Sequence, residues 1–144
     1  MIGMDILQPV VALLAWTMVM WAWMYATRIP AMLKAGIDAK GMVGSTGASL
    51  RAQLPDRVSW KADNYNHLLE QPILFYAIAL SLAVLGDSST VSIALAWSYV
   101  GLRVVHSLWQ ALVNVIPVRF ALFALSSLCL IALCLHLLMA VFHG

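Results

Sequence analysis

Charge is what this sequence has least of. Eight Lys and Arg and six Asp and Glu occur in 144 residues, 10% of the chain, against about a quarter in an ordinary soluble domain. With 63% hydrophobic residues, that scarcity excludes a soluble globular fold and implies an integral membrane protein. A net charge of +2 builds no basic stripe, and no nucleic-acid partner is expected. No basic residue precedes the first apolar run, so no cleavable signal peptide is expected. Cysteine is nearly absent too. Cys129 and Cys134 lie five apart in the last apolar run and do not share a helix face, so neither a disulfide nor a metal pair is expected.

Long apolar runs are abundant. Four stand out: Ile6–Ile29, Leu68–Leu85, Val91–Val113 and Val118–Phe142. Each has at least 18 residues, about 27 Å or more as helix. Backbone groups in lipid must pair within their own segment, so all four are read as helices. The expected fold is all-α: a single transmembrane four-helix bundle over residues 1–144, with spans near 6–29, 68–85, 91–113 and 118–142. Membrane lipid is its surroundings. Pro30 closes the first run, and Pro72 suits the first turn of the second.

The one long loop, 30–63, is flexible in composition, with Gly36, Gly41, Gly44 and Gly47. No Lys-Ser/Thr pair follows in register for a phosphate-binding loop. Six of the eight basic residues, Arg28, Lys34, Lys40, Arg51, Arg57 and Lys61, fall between the first two runs. The positive-inside rule then places this loop in the cytoplasm of an inner-membrane protein, with both termini and the Asp87 loop outside.

Against this apolar background the few polar residues demand reasons. Arg103 sits deep in the third run, where a charge costs about 2.5–3.5 kcal/mol to insert. With His106, Ser107, Gln110 and Asn114 it forms a stripe within an arc of about 100° on one helix face. Glu70 is its expected acidic counterpart. An ion pair between them either holds helices together or serves a site. His106 has no second His or Cys at helical spacing, so no metal site is expected. Arg119 opens the fourth helix, either as a topology-setting residue or as a ligand group. Arg28, Glu70, Arg103, Gln110 and Arg119 are expected to converge in the cytoplasmic half of the bundle. Guanidinium forks there suit a small anionic or zwitterionic ligand.

Two stretches carry a family resemblance. Asn64-Tyr65-Asn66-His67-Leu68-Leu69-Glu70-Gln71-Pro72-Ile73-Leu74-Phe75-Tyr76 resembles the second-helix entry of the MAPEG family (membrane-associated proteins in eicosanoid and glutathione metabolism), most of all its bacterial branch. Leu102-Arg103-Val104-Val105-His106-Ser107 resembles that family's third-helix motif, and Asn114 and Arg119 continue it. The resemblance implies a homotrimer of four-helix subunits. It also implies glutathione as cofactor between subunits and a lipophilic small molecule as co-substrate. Arg28, Glu70 and Arg103 match family positions that orient glutathione, and Asn66, His106 and Gln110 complete the expected cofactor-binding set. Arg119 matches the residue that holds the thiolate, the expected catalytic role. A glutathione- or thiol-dependent transferase or peroxidase is the implied activity. Three positions depart from the pattern. Gln110 stands where the enzymes carry Tyr, Asp63 where they carry a basic residue, and His67 where they carry Asn. A non-catalytic alternative is a scaffold, a lipid-binding protein or an accessory subunit of a larger membrane complex.

Overall fold

A computed structural model describes all of residues 1–144. The chain is entirely helical. The elements are α1 (Leu7–Lys34), α2 (Gly47–Leu50), α3 (Asp56–Leu68), α4 (Pro72–Val84), α5 (Thr90–Leu112) and α6 (Ile116–Phe142). Short 3₁₀ turns at Ala39–Gly41 and Arg51–Gln53 complete the loop. Four units are long and apolar enough to cross a membrane: α1, the α3–α4 unit from Asp56 to Val84, α5 and α6.

Two of these differ from the sequence expectation. α1 continues past Pro30 to Lys34. Pro30 forfeits only its own N–H bond. The turn beyond it is held where Ala35 N–H donates to the Ala31 carbonyl (3.0 Å) and Ile37 N–H to that of Met32 (3.1 Å). The second unit begins at Asp56, twelve residues before the apolar run, so the long loop ends at Pro55 rather than Asp63. Polar residues hid this helix from hydropathy. Ser59, Lys61 and Asn64 are nonetheless buried, along the face that packs on α1 and α5.

The unit is broken in its middle. Pro72 lacks the N–H that would continue the ladder, and its ring clashes with the preceding turn. Tight turns replace the α-helical bonds: Leu69 N–H donates to the Asn66 carbonyl (3.1 Å) and Glu70 N–H to that of His67 (3.2 Å). Gln71 fastens the break to the bundle. Its amide donates to Ser127 Oγ on α6 (2.9 Å), and its carbonyl oxygen accepts from Tyr99 OH on α5 (3.2 Å). Below the break, Phe75 stacks on Tyr99 with ring centroids 4.7 Å apart. Ile6, Leu13, Met20, Ala79, Leu82 and Leu133 pack around them.

The polar stripe of α5 faces inward, into the chain's own bundle. Arg103, His106, Ser107 and Gln110 are all buried. Ser107 Oγ accepts from Trp16 Nε1 of α1 (2.9 Å) and from Asn64 Nδ2 of α3 (2.6 Å). One hydroxyl therefore ties three helices together. At one end of the bundle, Gly3 N–H donates to the Ala83 carbonyl (2.7 Å), seating the start of the chain against the 86–89 turn. A Cβ on Gly3 would lie 2.5 Å from the Asp87 carbonyl oxygen, so only glycine fits that seam.

At the other end the loop folds back onto α1 and α3. Leu54 is buried at its base. Arg51 Nη1 donates to both carboxylate oxygens of Asp63, at 2.8 and 2.7 Å. That hydrogen bond, and then the Asp63 charge, push the Arg51 pKa above its already high ordinary value.

Replacing Ser107 by Ala strands two donors, one of them in the core. Interhelical bonds in membranes average about 0.6 kcal/mol, and a stranded buried donor costs about 1–3 kcal/mol. The Ser107→Ala protein should lose about 1–2 kcal/mol, read as a lower unfolding midpoint in detergent, with Ser107→Thr nearer to wild type. An unchanged midpoint in the Ala variant would mean the hydroxyl is not the shared acceptor. The Arg51–Asp63 pair is exposed, so its removal should loosen the loop without unfolding the bundle. Limited trypsin digestion at Arg51 should speed up roughly two- to fivefold in Asp63→Ala.

Candidate functional site

Most of the residues singled out by sequence fall into two cavities that share no lining residue, with α3 contributing to both. The loop cavity, about 370 Å³, lies where α1, α2 and α3 meet. Arg28, Arg51, Ser59, Asp63, Tyr65 and Asn66 line it. Arg28 Nε and Ser59 Oγ are buried there without partners, and Gly47 sits against the Arg28 guanidinium, where an added Cβ would lie 3.4 Å from Nη2.

The inner cavity, about 230 Å³, lies between α3, α5 and α6. His67, His106, Gln110, Ile116, Arg119, Phe120 and Phe123 line it. Asn66 and His67 are neighbours in sequence yet face different cavities, because successive helical residues turn by about 100°.

The inner cavity is polar at its wall and apolar at its mouth. Arg119 Nη1 donates to Asn114 Oδ1 (2.8 Å), which fixes the guanidinium. Asn114 holds that oxygen in place from the left-handed region, at φ 57°, a conformation Asn tolerates better than most residues. His106 Nδ1 and Gln110 Oε1 are buried with no partner in the subunit. Ile116 and Phe120 are 65% and 67% exposed on the outer surface. The wall thus offers a cation fixed by Asn114, with unsatisfied polar atoms buried behind it, and the mouth offers apolar contact.

Arg103 lies behind both cavities, fully buried, and lines neither. The expected Arg103–Glu70 ion pair does not form within the subunit. All three guanidinium nitrogens lack hydrogen-bond partners, and the ring of Phe123 lies 5.9 Å from the guanidinium carbon, close enough for a cation–π attraction. The reason is the break at Pro72. It turns the Glu70 side chain outward, 69% exposed, although Glu70 sits in mid-span. Its contact is instead one turn back, with His67 Nδ1 at 3.2 Å. Five expected residues are thus split within one subunit. Arg28 belongs to the loop cavity, Gln110 and Arg119 to the inner one, and Arg103 and Glu70 to neither.

Two residues with clear geometric roles were not expected in them. His67 lines the inner cavity and stacks near His106, with centroids 5.0 Å apart. Its i,i+3 spacing to Glu70 was the available signal. Arg51 lines the loop cavity through its pair with Asp63. Its partner lies twelve residues away across a turn, and no periodicity reveals that. No group of three or more His, Cys, Asp or Glu side chains is placed to hold a metal ion.

No curated protein and no solved structure matches the chain. A family model does: that of the MAPEG family, over residues 6–139. Its span takes in both cavities and all four membrane-crossing units except the last three residues of α6. The match and the broken second unit, with its Glu70-Gln71-Pro72 turn, lead to one conclusion: this multi-pass membrane protein belongs to the MAPEG family.

Proposed function

We infer that the protein is a thiol-dependent transferase or peroxidase that uses glutathione on lipophilic substrates. The observation that carries this reading is the inner cavity. A guanidinium held by Asn114 stands there beside unsatisfied His106 Nδ1 and Gln110 Oε1, in a chain whose family acts in glutathione and eicosanoid metabolism. A fixed cation in a low-dielectric pocket favours thiolate over thiol. Arg119 fills that role, and Gln110 contributes a hydrogen bond but no acidic proton.

The exposed carboxylate of Glu70 supports assembly into a homotrimer. Exposed to hydrocarbon it would be costly. A neighbouring subunit covers that face, and a ligand's ammonium group or the neighbour's polar atoms meet the carboxylate. In such an assembly Arg28 and Asn66 of one subunit can serve the same cofactor as Arg119 of the next, which gives the two separate cavities a common purpose. The excess of Lys and Arg from Arg28 to Lys61 favours the cytoplasmic side of an inner membrane for the loop. Gln110 in the place of Tyr favours one rival, a protein that binds a ligand without turning it over.

Isothermal titration of the detergent-solubilised protein with glutathione tests the reading. Binding in the millimolar range or tighter is expected, weakened at least about tenfold, or 1.4 kcal/mol, in Arg119→Gln. No heat at millimolar glutathione, with the protein folded, overturns it. Binding without any conjugation or peroxide turnover selects the rival.

A further inference from the structure

One wall residue of the inner cavity, His67, is paired with a carboxylate that lies outside it, and the thiolate-stabilising role of Arg119 does not use this pair. His67 Nδ1 lies 3.2 Å from Glu70 Oε2. An ionised carboxylate only accepts, so Nδ1 carries the hydrogen and donates it, and Nε2 keeps its lone pair. The ring lines the cavity with Arg119, His106 and Gln110. It packs near His106 on α5 and Phe123 on α6, with centroids 5.0 and 5.6 Å away. Its orientation is therefore restrained by two neighbouring rings and at one nitrogen, leaving the other nitrogen free. A base held in one tautomer by a third group is what a proton transfer needs.

Resting on the thiol-cofactor reading above, we propose that His67, oriented by Glu70, is the general base of the inner cavity and takes the proton of the cofactor thiol. The S–H bond breaks, its electron pair stays on sulfur beside the Arg119 guanidinium, and the proton forms a new N–H bond at His67 Nε2. The imidazolium is balanced by the Glu70 carboxylate. When the thiolate adds to an electrophilic carbon, the new S–C bond forms and the proton returns from Nε2 to the carbanion so created. No outside oxidant or reductant enters.

This role suits the departure at position 110. Gln110 has no proton to exchange, so the cavity's proton traffic needs another carrier, and His67 is the side chain placed for it. The charged and titratable groups around His67 are Glu70 in the turn after its own helix, Arg103 and His106 from α5, and Arg119 from α6. Tyr25 and Arg28 of α1 line the loop cavity instead. Glu70 is thus the one acidic group among these neighbours and the one that stabilises a protonated His67. Glu70 acts through His67 and is a positioning residue.

The test follows the proton in the wild-type protein first. Glutathione is titrated calorimetrically in buffers of different ionisation enthalpy, while ultraviolet absorbance reports thiolate formation. The expected result is thiolate formation with far less than one proton released per site, because His67 keeps it. His67→Gln should bind glutathione with similar affinity, show at least about a tenfold smaller thiolate fraction at neutral pH, and lose kcat rather than raise KM with an α,β-unsaturated carbonyl compound. Glu70→Gln should fall between the two. In His67→Gly, added imidazole should restore turnover. Thiolate formation with a full proton released to buffer overturns the proposal while leaving glutathione use standing, as does undiminished thiolate in His67→Gln. Failure of the wild type to bind glutathione removes the functional reading and this proposal together.

Discussion

One missing backbone donor organises this molecule. Pro72 cannot supply the N–H that would carry α3 into α4, so the second membrane-crossing unit breaks in mid-span. Unsatisfied backbone in a bilayer is expensive, and the break survives because tight-turn bonds and the Gln71 side chain absorb it. The same break divides four polar or turn positions within six residues among different surroundings. His67 faces the inner cavity, Glu70 faces outward, Gln71 binds α5 and α6, and Pro72 begins the apolar half. A continuous helix would leave Gln71 without its two partners.

Two arginines show how differently the protein treats one side chain. Arg119 is held by Asn114 at the edge of a cavity and is available to a ligand. Arg103 is sealed, with no hydrogen-bond partner and an aromatic face as its neighbour. A buried guanidinium with so little compensation does not stabilise the subunit by itself. Its value lies in the field it adds behind the cavity wall. That field reaches the His67 and His106 rings at the wall.

Much of this was legible from residue order. The four membrane-crossing units follow from apolar runs of at least 18 residues, and the inward stripe of α5 follows from the spacing of Arg103, His106, Ser107 and Gln110. The start of α3 was not legible from hydropathy, because Asp56, Arg57, Lys61, Asp63 and Asn64 lower it where the helix begins. Pro55 and the acidic Asp56 in the first turn were the subtler signals. The Arg103–Glu70 pair was inferred from charge, with depth allowing it only if the second helix starts deep or a side chain snorkels. The turn before Pro72 rotates Glu70 away, and rotation at a break leaves no trace in periodicity. The division of the site residues between two cavities was hidden for a related reason: Asn66 and His67 are adjacent in the chain but about 100° apart around it.

The outward-facing Ile116 and Phe120 at the mouth of the inner cavity have a further consequence. On the function proposed above, a lipophilic substrate dissolved in the bilayer would meet this opening sideways, without crossing an aqueous phase. The concentration that governs its encounter with the protein is then moles per volume of lipid, not moles per litre of buffer. For an apolar compound the two differ by its oil–water partition ratio. Apparent affinities for such compounds should therefore dilute as lipid or detergent is added at constant protein, while those for a water-soluble partner entering from the loop side should not. The two phases would act on one protein as separate reservoirs, each with its own chemical potential.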